Sequence, residues 1–294
     1  MVLRLDTTLA GGLNSNLQKT RAITEGWIGE NMSCPICGEP RLFHHKNNEP
    51  VADFYCNNCG ADFELKSSKR KSSSMPRKIG GGAYQKMVER LTSVNSPNLF
   101  VMTYFNYKVN NLILVPSHFF TLSVVEKRNP LSSTAVRAGW IGSNIVLGDI
   151  PDIGKIYLVR NGVEEDPRKV RTLYQESLSL YEGDLDSRGW LLDVWKCIET
   201  IPTDCFYLKH IYSFVDELKK KHPGNHHIKD KIRQQLQILR DKGFIVFVSR
   251  GLYKKIGIPF GTLPNADETK PHSMADNVRI ATEGIKEILD SEFD

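Results

Sequence analysis

This chain of 294 residues has no apolar run near the length needed to cross a bilayer, and no targeting segment at its start. Cysteine is scarce, six in all, too few for a secreted fold stapled by disulfides. These absences predict a soluble, cytoplasmic protein with no membrane contact; a monomer in solution is the separate expectation for its assembly. Excess charge of one sign is also small, +5 overall, but it is unevenly placed. Residues 258–294 carry three basic and eight acidic side chains, which leaves 36 basic against 26 acidic over residues 1–257. Within 226–257 there are eight basic residues and two acidic ones. A basic concentration of that kind suits a polyanion, the plainer alternative being a solvated helix face. The length accommodates about two domains.

What is present is concentrated in the stretch VADFYCNNCGADFELKSSKRK. Asp53 precedes a Glu64-Leu65-Lys66 triplet, the pattern of a metal-dependent nuclease. Glu64 and Lys66 are two apart, so on a strand both project from one face while Phe63 and Leu65 point into a core. Converging carboxylates make a hard, oxygen-rich site of the kind Mg²⁺ prefers. A lysine beside it can orient an attacking water or stabilise charge on phosphate oxygens. Asp53, Glu64 and the Leu65 backbone carbonyl are the expected Mg²⁺ ligands, with Lys66 positioning the water. The competing reading is an edge strand whose exposed face happens to carry these charges.

Two CxxC pairs surround this motif, Cys34 with Cys37 and Cys56 with Cys59. Their spacing matches a two-knuckle Cys₄ site for structural Zn²⁺, closed and therefore not catalytic. Gly38 and Gly60 follow each second cysteine, where a knuckle turn favours positive φ. Disulfide or redox pairs are the alternatives. Because the second knuckle lies between Asp53 and Glu64, it is the expected turn of a hairpin that brings the two carboxylates together. Cys197 and Cys205, set among apolar residues, read as buried thiols.

Elsewhere the pattern predicts a helix over 15–29 with Leu17, Ile23 and Trp27 on its inner face and Ser15 or Asn16 as cap. The segment SSKRKSSSMPRKIGGG reads as a mobile basic loop carrying Lys69, Arg70, Lys71, Arg77 and Lys78. A helix near 82–93 and strands over 99–105, 111–116 and 155–160 follow, an α/β alternation. Trp140 sits between Gly139 and Gly142 in a small-residue segment with Arg128 and Arg137; it either folds onto the core or faces DNA. A second domain begins near Ser187 with helices over 187–199, 207–221 and 226–242. The last puts Ile228, Ile232, Leu236 and Leu239 on one face and Lys229, Lys231, Arg233, Gln234 and Gln237 on the other. Gly243 is its expected C′ residue, and a hairpin with Arg250 in its turn follows. Three helices and a hairpin make a winged helix, placing the last helix in the DNA major groove.

The motifs VADFYCNNC and FELKS, the CPIC pair, TAVRAGWIGSNI, DSRGW and NHHIKDKIRQQLQILRDK together resemble the DpnI-like methyl-directed type II restriction endonucleases over residues 1–257. The resemblance implies a bacterial enzyme with a PD-(D/E)xK nuclease domain (1–183) holding an inserted zinc site, then a winged helix (184–257). It implies cleavage of double-stranded DNA at GATC bearing N6-methyladenine, with both domains reading methylated DNA. It assigns catalysis to Asp53, Glu64 and Lys66, zinc to the four cysteines, and contact with the modified site to the Trp140 loop. Ala52 stands where the PD half-motif has proline. Residues 258–294 lie beyond the resemblance and read as an acidic extension with one amphipathic helix. Two rivals remain: a zinc-containing winged-helix regulator without catalysis, and a nuclease for a different modified sequence.

Overall fold

The computed structural model describes residues 1–45, 52–91, 96–181 and 183–256; the helix expected within 258–294 lies outside the described residues. Two compact units form, Met1–Gly189 and a second from Trp190 onward. In the first, chain order is α1 (Asn16–Asn31), β1 (Phe43–His44), β2 (Phe54–Tyr55), β3 (Asp62–Lys69), β4 (Ile79–Ala83), α2 (Tyr84–Leu91), β5 (Asn98–Phe105), β6 (Lys108–Val115), β7 (Val125–Lys127), β8 (Gly142–Ile145), β9 (Ile156–Arg160), β10 (Val163–Glu164) and α3 (Pro167–Ser177).

The main sheet runs β1-β2-β3-β5-β6-β9-β10, with β3 and β5 parallel and the other pairs antiparallel. A three-stranded sheet, β4-β8-β7, accompanies it. β5 is covered on both faces, which is why its sequence is an unbroken apolar run and not an alternation. Phe63, Phe100 and Met102 belong to the core that also contains Ile23, Trp27 and Ile28 of α1, and the half-buried Leu65 packs against it. Phe63 stacks on Phe100 with ring centroids 4.9 Å apart. Glu64 and Lys66 leave the opposite face of β3, where Arg90 of α2 meets Glu64.

Several expectations need correction. Leu17 is 82% exposed, because the inner face of α1 is set by Ile23, Trp27 and Ile28 and its first turn overhangs the core. Ser15 occupies the N-cap position without a side-chain cap bond. The stretch after Lys66 is not a free loop: β3 continues to Lys69, and IGGGA forms β4 against β8. Asn111 further ties the intervening turn by donating to the Ser73 carbonyl at 2.7 Å.

The second unit is continued from α4 (Leu185–Thr200), inside which the division between units falls. It comprises β11 (Cys205–Tyr207), α5 (Leu208–Tyr212), α6 (Val215–Lys221), α7 (Ile228–Asp241), β12 (Ile245–Ser249) and β13 (Leu252–Lys255), with sheet order β11-β13-β12. The helix expected over 207–221 is broken at Ser213 and Phe214. The buried Asp193 binds Lys221 at 3.1 Å and His222 at 2.9 Å, while Trp190 stacks on His222 at 3.8 Å, tying α4 to the end of α6. Cys197 is buried as expected, but Cys205 is exposed. β11 points only its middle residue, Phe206, inward, so Cys205 falls on the outer side.

His118 in the first unit is buried, and its Nε2 has no hydrogen-bond partner. Burial lowers its pKa from 6.5 to about 4, against a hydrogen bond to the Ser177 backbone that favours the charged ring. As pH falls, the unfolded chain takes up this proton before the folded one does. Stability from His118 is therefore complete above about pH 6.5 and is lost toward pH 4, by up to about 3 kcal/mol. Urea unfolding at pH 7 and pH 5 should show that loss, and His118→Gln should flatten it; an unchanged slope would exonerate His118.

Candidate active site and metal centre

The hairpin β2–β3 is built as its sequence implies. Phe54 pairs with Phe63 and Tyr55 with Asp62, and the Asp53 amide donates to the Phe63 carbonyl at 3.0 Å. One residue beyond the last pair, the Asp53 side chain replaces a strand partner: Leu65 N–H donates to Asp53 Oδ2 at 2.7 Å. Asp53 Oδ1 faces Arg21 Nη2 of α1 at 3.5 Å. Glu64 Oε1 lies 2.6 Å from Lys66 Nζ, and Glu64 Oε2 lies 3.1 Å from Arg90 Nη1. Burial works against ionisation of Glu64, but Lys66 and Arg90 outweigh it and hold the carboxyl below its ordinary range. Asp53, Glu64 and Lys66 are thus brought to one end of one hairpin, where the two carboxylates offer oxygen donors that suit a hard cation.

Three residues of this site carried no local signal. Arg21 also pairs with Glu25 on α1, and Glu25 in turn lies in the field of Asp53. Burial raises the Glu25 carboxyl, and Asp53 adds to that rise against the opposing pull of Arg21 and His44. Arg90 is the third. Arg21 and Glu25 are four apart on a helix, a spacing that reads in sequence as a surface ion pair, and nothing in the sequence points α2 at Glu64.

The four cysteines converge. Cys34 Sγ is 3.7 Å from Cys59 Sγ and Cys37 Sγ is 3.6 Å from Cys56 Sγ, with all four sulfurs within 4.8 Å of one another. Tetrahedral thiolates at ~2.3 Å from Zn²⁺ stand about 3.8 Å apart, so the cluster fits the ion. All four are free thiols, which sets disulfides aside. The knuckles are near copies: Gly38 N–H donates to Cys34 O and Gly60 N–H to Cys56 O, both at 2.9 Å. Cys34 and Cys56 N–H donate to the carbonyls of Glu39 and Ala61. Gly38 and Gly60 take φ of +85° and +69°, as the turn requires. Burial pushes the Cys34 and Cys59 thiols up, Cys59 to about 11. At Cys37 burial is outweighed by hydrogen bonds from the Glu39 backbone and from Asn58, which draw it down to about 7. Four thiolates this close repel unless a cation neutralises them.

Trp140 and Arg137 lie on the hairpin between β7 and β8. Arg137 is exposed and Trp140 half-buried. Leu131 N–H donates to Trp140 O and Arg128 N–H to Gly142 O, both at 3.0 Å, so the segment is an ordered extension of the strands. Trp140, Tyr84, Gln85, Val88, Lys127 and Ile141 line an open groove of about 540 Å³. Lys127 Nζ stands 5.6 Å from the Tyr84 ring centroid. In the second unit, Ile228, Ile232, Leu236 and Leu239 are buried on α7 as expected. Lys229, Arg233, Gln234 and Gln237 are exposed on its other face, while Lys231 is half-buried. Arg233 pairs with Asp230, and Lys229 Nζ lies 5.4 Å from the Tyr212 ring. Arg250 is exposed in the β12–β13 turn, next to Gly251 at φ +75°.

Two family models match the chain. One, described as the DpnI, Dam-replacing family, covers residues 1–183; the other, a Dam-replacing HTH domain, covers residues 186–255. The matches agree with a mixed α/β sheet unit followed by a helical unit whose strand order is that of a winged helix. Among the described residues, no helix is long and apolar enough to cross a membrane. A regulator without catalysis is set aside, since the matched family is one of nucleases that act on DNA. The chain belongs to the DpnI, Dam-replacing family of restriction endonucleases, with its helix-turn-helix domain toward the C-terminus.

Proposed function

We propose that this chain is a type II, methyl-dependent restriction endonuclease of PD-(D/E)xK type that hydrolyses double-stranded DNA at GATC carrying N6-methyladenine, and that it acts as a monomer in solution. Residues 1–183 form the nuclease domain in this reading, 184–257 the winged helix and 258–294 an extension. The observation that carries it is Asp53 docked on the Leu65 amide beside the Glu64–Lys66 pair, in a chain of a nuclease family.

Asp53, Glu64 and the Leu65 carbonyl are the proposed Mg²⁺ ligands. The N–H and C=O of one strand residue leave by the same edge, so a Leu65 amide bonded to Asp53 places its carbonyl on the Asp53 side. Bound there, Mg²⁺ supplies charge neutralisation at the scissile phosphate and a more acidic water. Leu65 N–H holds the Asp53 carboxylate in one orientation. Lys66 keeps an ammonium beside Glu64, where it directs the water and meets charge growing on the phosphate oxygens. Asp53→Ala and Lys66→Ala should each retain DNA binding and lose roughly a hundredfold or more in cleavage rate. Near-normal cutting by either, in a plasmid assay with Mg²⁺, would remove that residue from the site.

Cys34, Cys37, Cys56 and Cys59 are proposed to hold one structural Zn²⁺. Metal analysis of the purified chain should return about one zinc. Cys37→Ser or Cys59→Ser should lower the melting temperature of the first unit and leave the second unchanged. Zinc-free protein with the same melt as wild type would refute the assignment.

Trp140 and Arg137 on the hairpin are proposed to meet the modified site, and Lys229, Lys231, Arg233, Gln234, Gln237 and Arg250 to bind DNA from the winged helix. N6-methylation leaves one amino hydrogen for pairing and puts a methyl group in the major groove. Burying one methyl contributes about 1 kcal/mol, roughly a fivefold preference, so two methyl groups read separately discriminate far better than one. A Cβ added at Gly142 would stand 2.7 Å from Trp140 Cζ3. Gly142→Ala should therefore displace the ring and lower methyl discrimination in cleavage about as much as Trp140→Ala, roughly fivefold. Unchanged discrimination in both variants, compared on methylated and unmethylated duplex at one salt concentration, would take the ring out of the readout.

A further inference from the structure

Arg90 has no place in the hydrolysis just described, yet it holds one of the oxygens that hydrolysis needs. Glu64 Oε1 is taken by Lys66 at 2.6 Å and Oε2 by Arg90 at 3.1 Å, so the half-buried carboxylate faces a cation on each side. A divalent cation that binds Glu64 must settle beside both. In a half-buried site such repulsion lowers affinity several-fold. Lys66 is needed for chemistry, whereas Arg90 is not, and Arg90 comes from a different element.

That element links two places. Arg90 lies in the last turn of α2, which is only eight residues long. Its first turn forms a wall of the Trp140 groove through Tyr84 and Gln85, and Tyr84 N–H donates to the Ile141 carbonyl at 3.0 Å. A two-turn helix is stiff, so a shift at the groove is carried to Arg90. Guanidinium has the fork geometry to pair with carboxylate and phosphate alike.

We propose that Arg90 is an exchangeable counter-ion of Glu64 that ties groove occupancy to metal binding. Without DNA it neutralises Glu64 and holds the divalent cation off. With DNA in the groove its guanidinium passes to a DNA phosphate and leaves Glu64 Oε2 to the metal. This rests on reading Asp53 and Glu64 as metal-binding carboxylates, and it makes Arg90 a positioning residue whose effect appears before any bond is cut.

The test is calorimetric titration of Ca²⁺, which takes the same oxygen ligands, into the full chain. Wild type, Arg90→Met and Arg90→Lys are compared with and without methylated duplex. Without DNA, Arg90→Met should bind Ca²⁺ at least roughly fivefold more tightly than wild type, and Arg90→Lys should track wild type. Adding duplex should tighten Ca²⁺ binding by wild type but not by Arg90→Met, which should itself bind duplex several-fold more weakly. Equal Ca²⁺ affinities of DNA-free wild type and Arg90→Met would overturn the proposal. If Arg90→Met melts below wild type, Arg90→Gln, which keeps a donor without the charge, replaces it under the same criteria. Adding Asp53→Asn to Arg90→Met separates the two readings. Loss of Ca²⁺ binding supports the carboxylate site, and unchanged binding removes that site and the exchange together.

Discussion

The register between the two-residue strand Phe54–Tyr55 and the long strand Asp62–Lys69 is the constraint on which the rest of the site depends. Side chains on a strand alternate, so a slip of one residue would turn Glu64 and Lys66 into the core and expose Phe63. The apolar side resists that slip, because Phe63 is fully buried and stacked on Phe100. The cysteine cluster resists it from the turn, since the second knuckle joins the two strands and is pinned by its own hydrogen bonds. A pairing only two residues long cannot supply such precision from backbone bonds alone. Asp53 then completes the ladder with its side chain at Leu65, so the geometry of the carboxylate is inherited from the register.

Glu64 shows what that precision costs. A carboxylate taken out of water loses several kcal/mol of hydration unless partners replace it. Lys66 and Arg90 together reverse the penalty and keep Glu64 ionised, with one oxygen to each. Arg21 plays a lesser part at Asp53, at the longer distance of 3.5 Å and from an exposed position where solvent screens it. Glu25 is pushed the other way, toward its neutral form, by burial and by Asp53. Carboxylates within one small region are thus shifted in opposite directions by their surroundings, as in sites that handle charge.

The local code of the chain made much of this legible. A period of two at Phe63–Lys66, a pair of CxxC knuckles and the three-four spacing of Ile228, Ile232, Leu236 and Leu239 each report a neighbourhood only a few residues wide. What stayed hidden depends on distant packing. Leu17 has the right spacing to join Ile23 and Trp27, but nothing in the described core reaches the first turn of that helix. The Ser- and Gly-rich run after Lys66 has loop composition, yet edge pairing with Gly142–Ile145 makes part of it a strand. Arg90 was invisible because its meaning comes from Glu64, 26 residues away in sequence.

The aromatic hairpin poses the opposite problem to the half-buried carboxylate. A side chain that reads a partner must stay accessible, while a mobile ring loses in ordering entropy what it gains in contact. The chain resolves this by laying Trp140 against a residue without a side chain, so that Gly142 acts as a seat and the ring is fixed without being covered. Backbone bonds from Leu131 and Gly139 across the hairpin hold the same segment from the other side. Glycine at 142 is therefore a packing requirement and not a source of flexibility, whereas Gly139, at φ +78°, is the one whose backbone freedom the turn uses. For the proposed readout, preorganisation of this kind would place discrimination in the geometry of the free protein, ahead of any encounter with DNA.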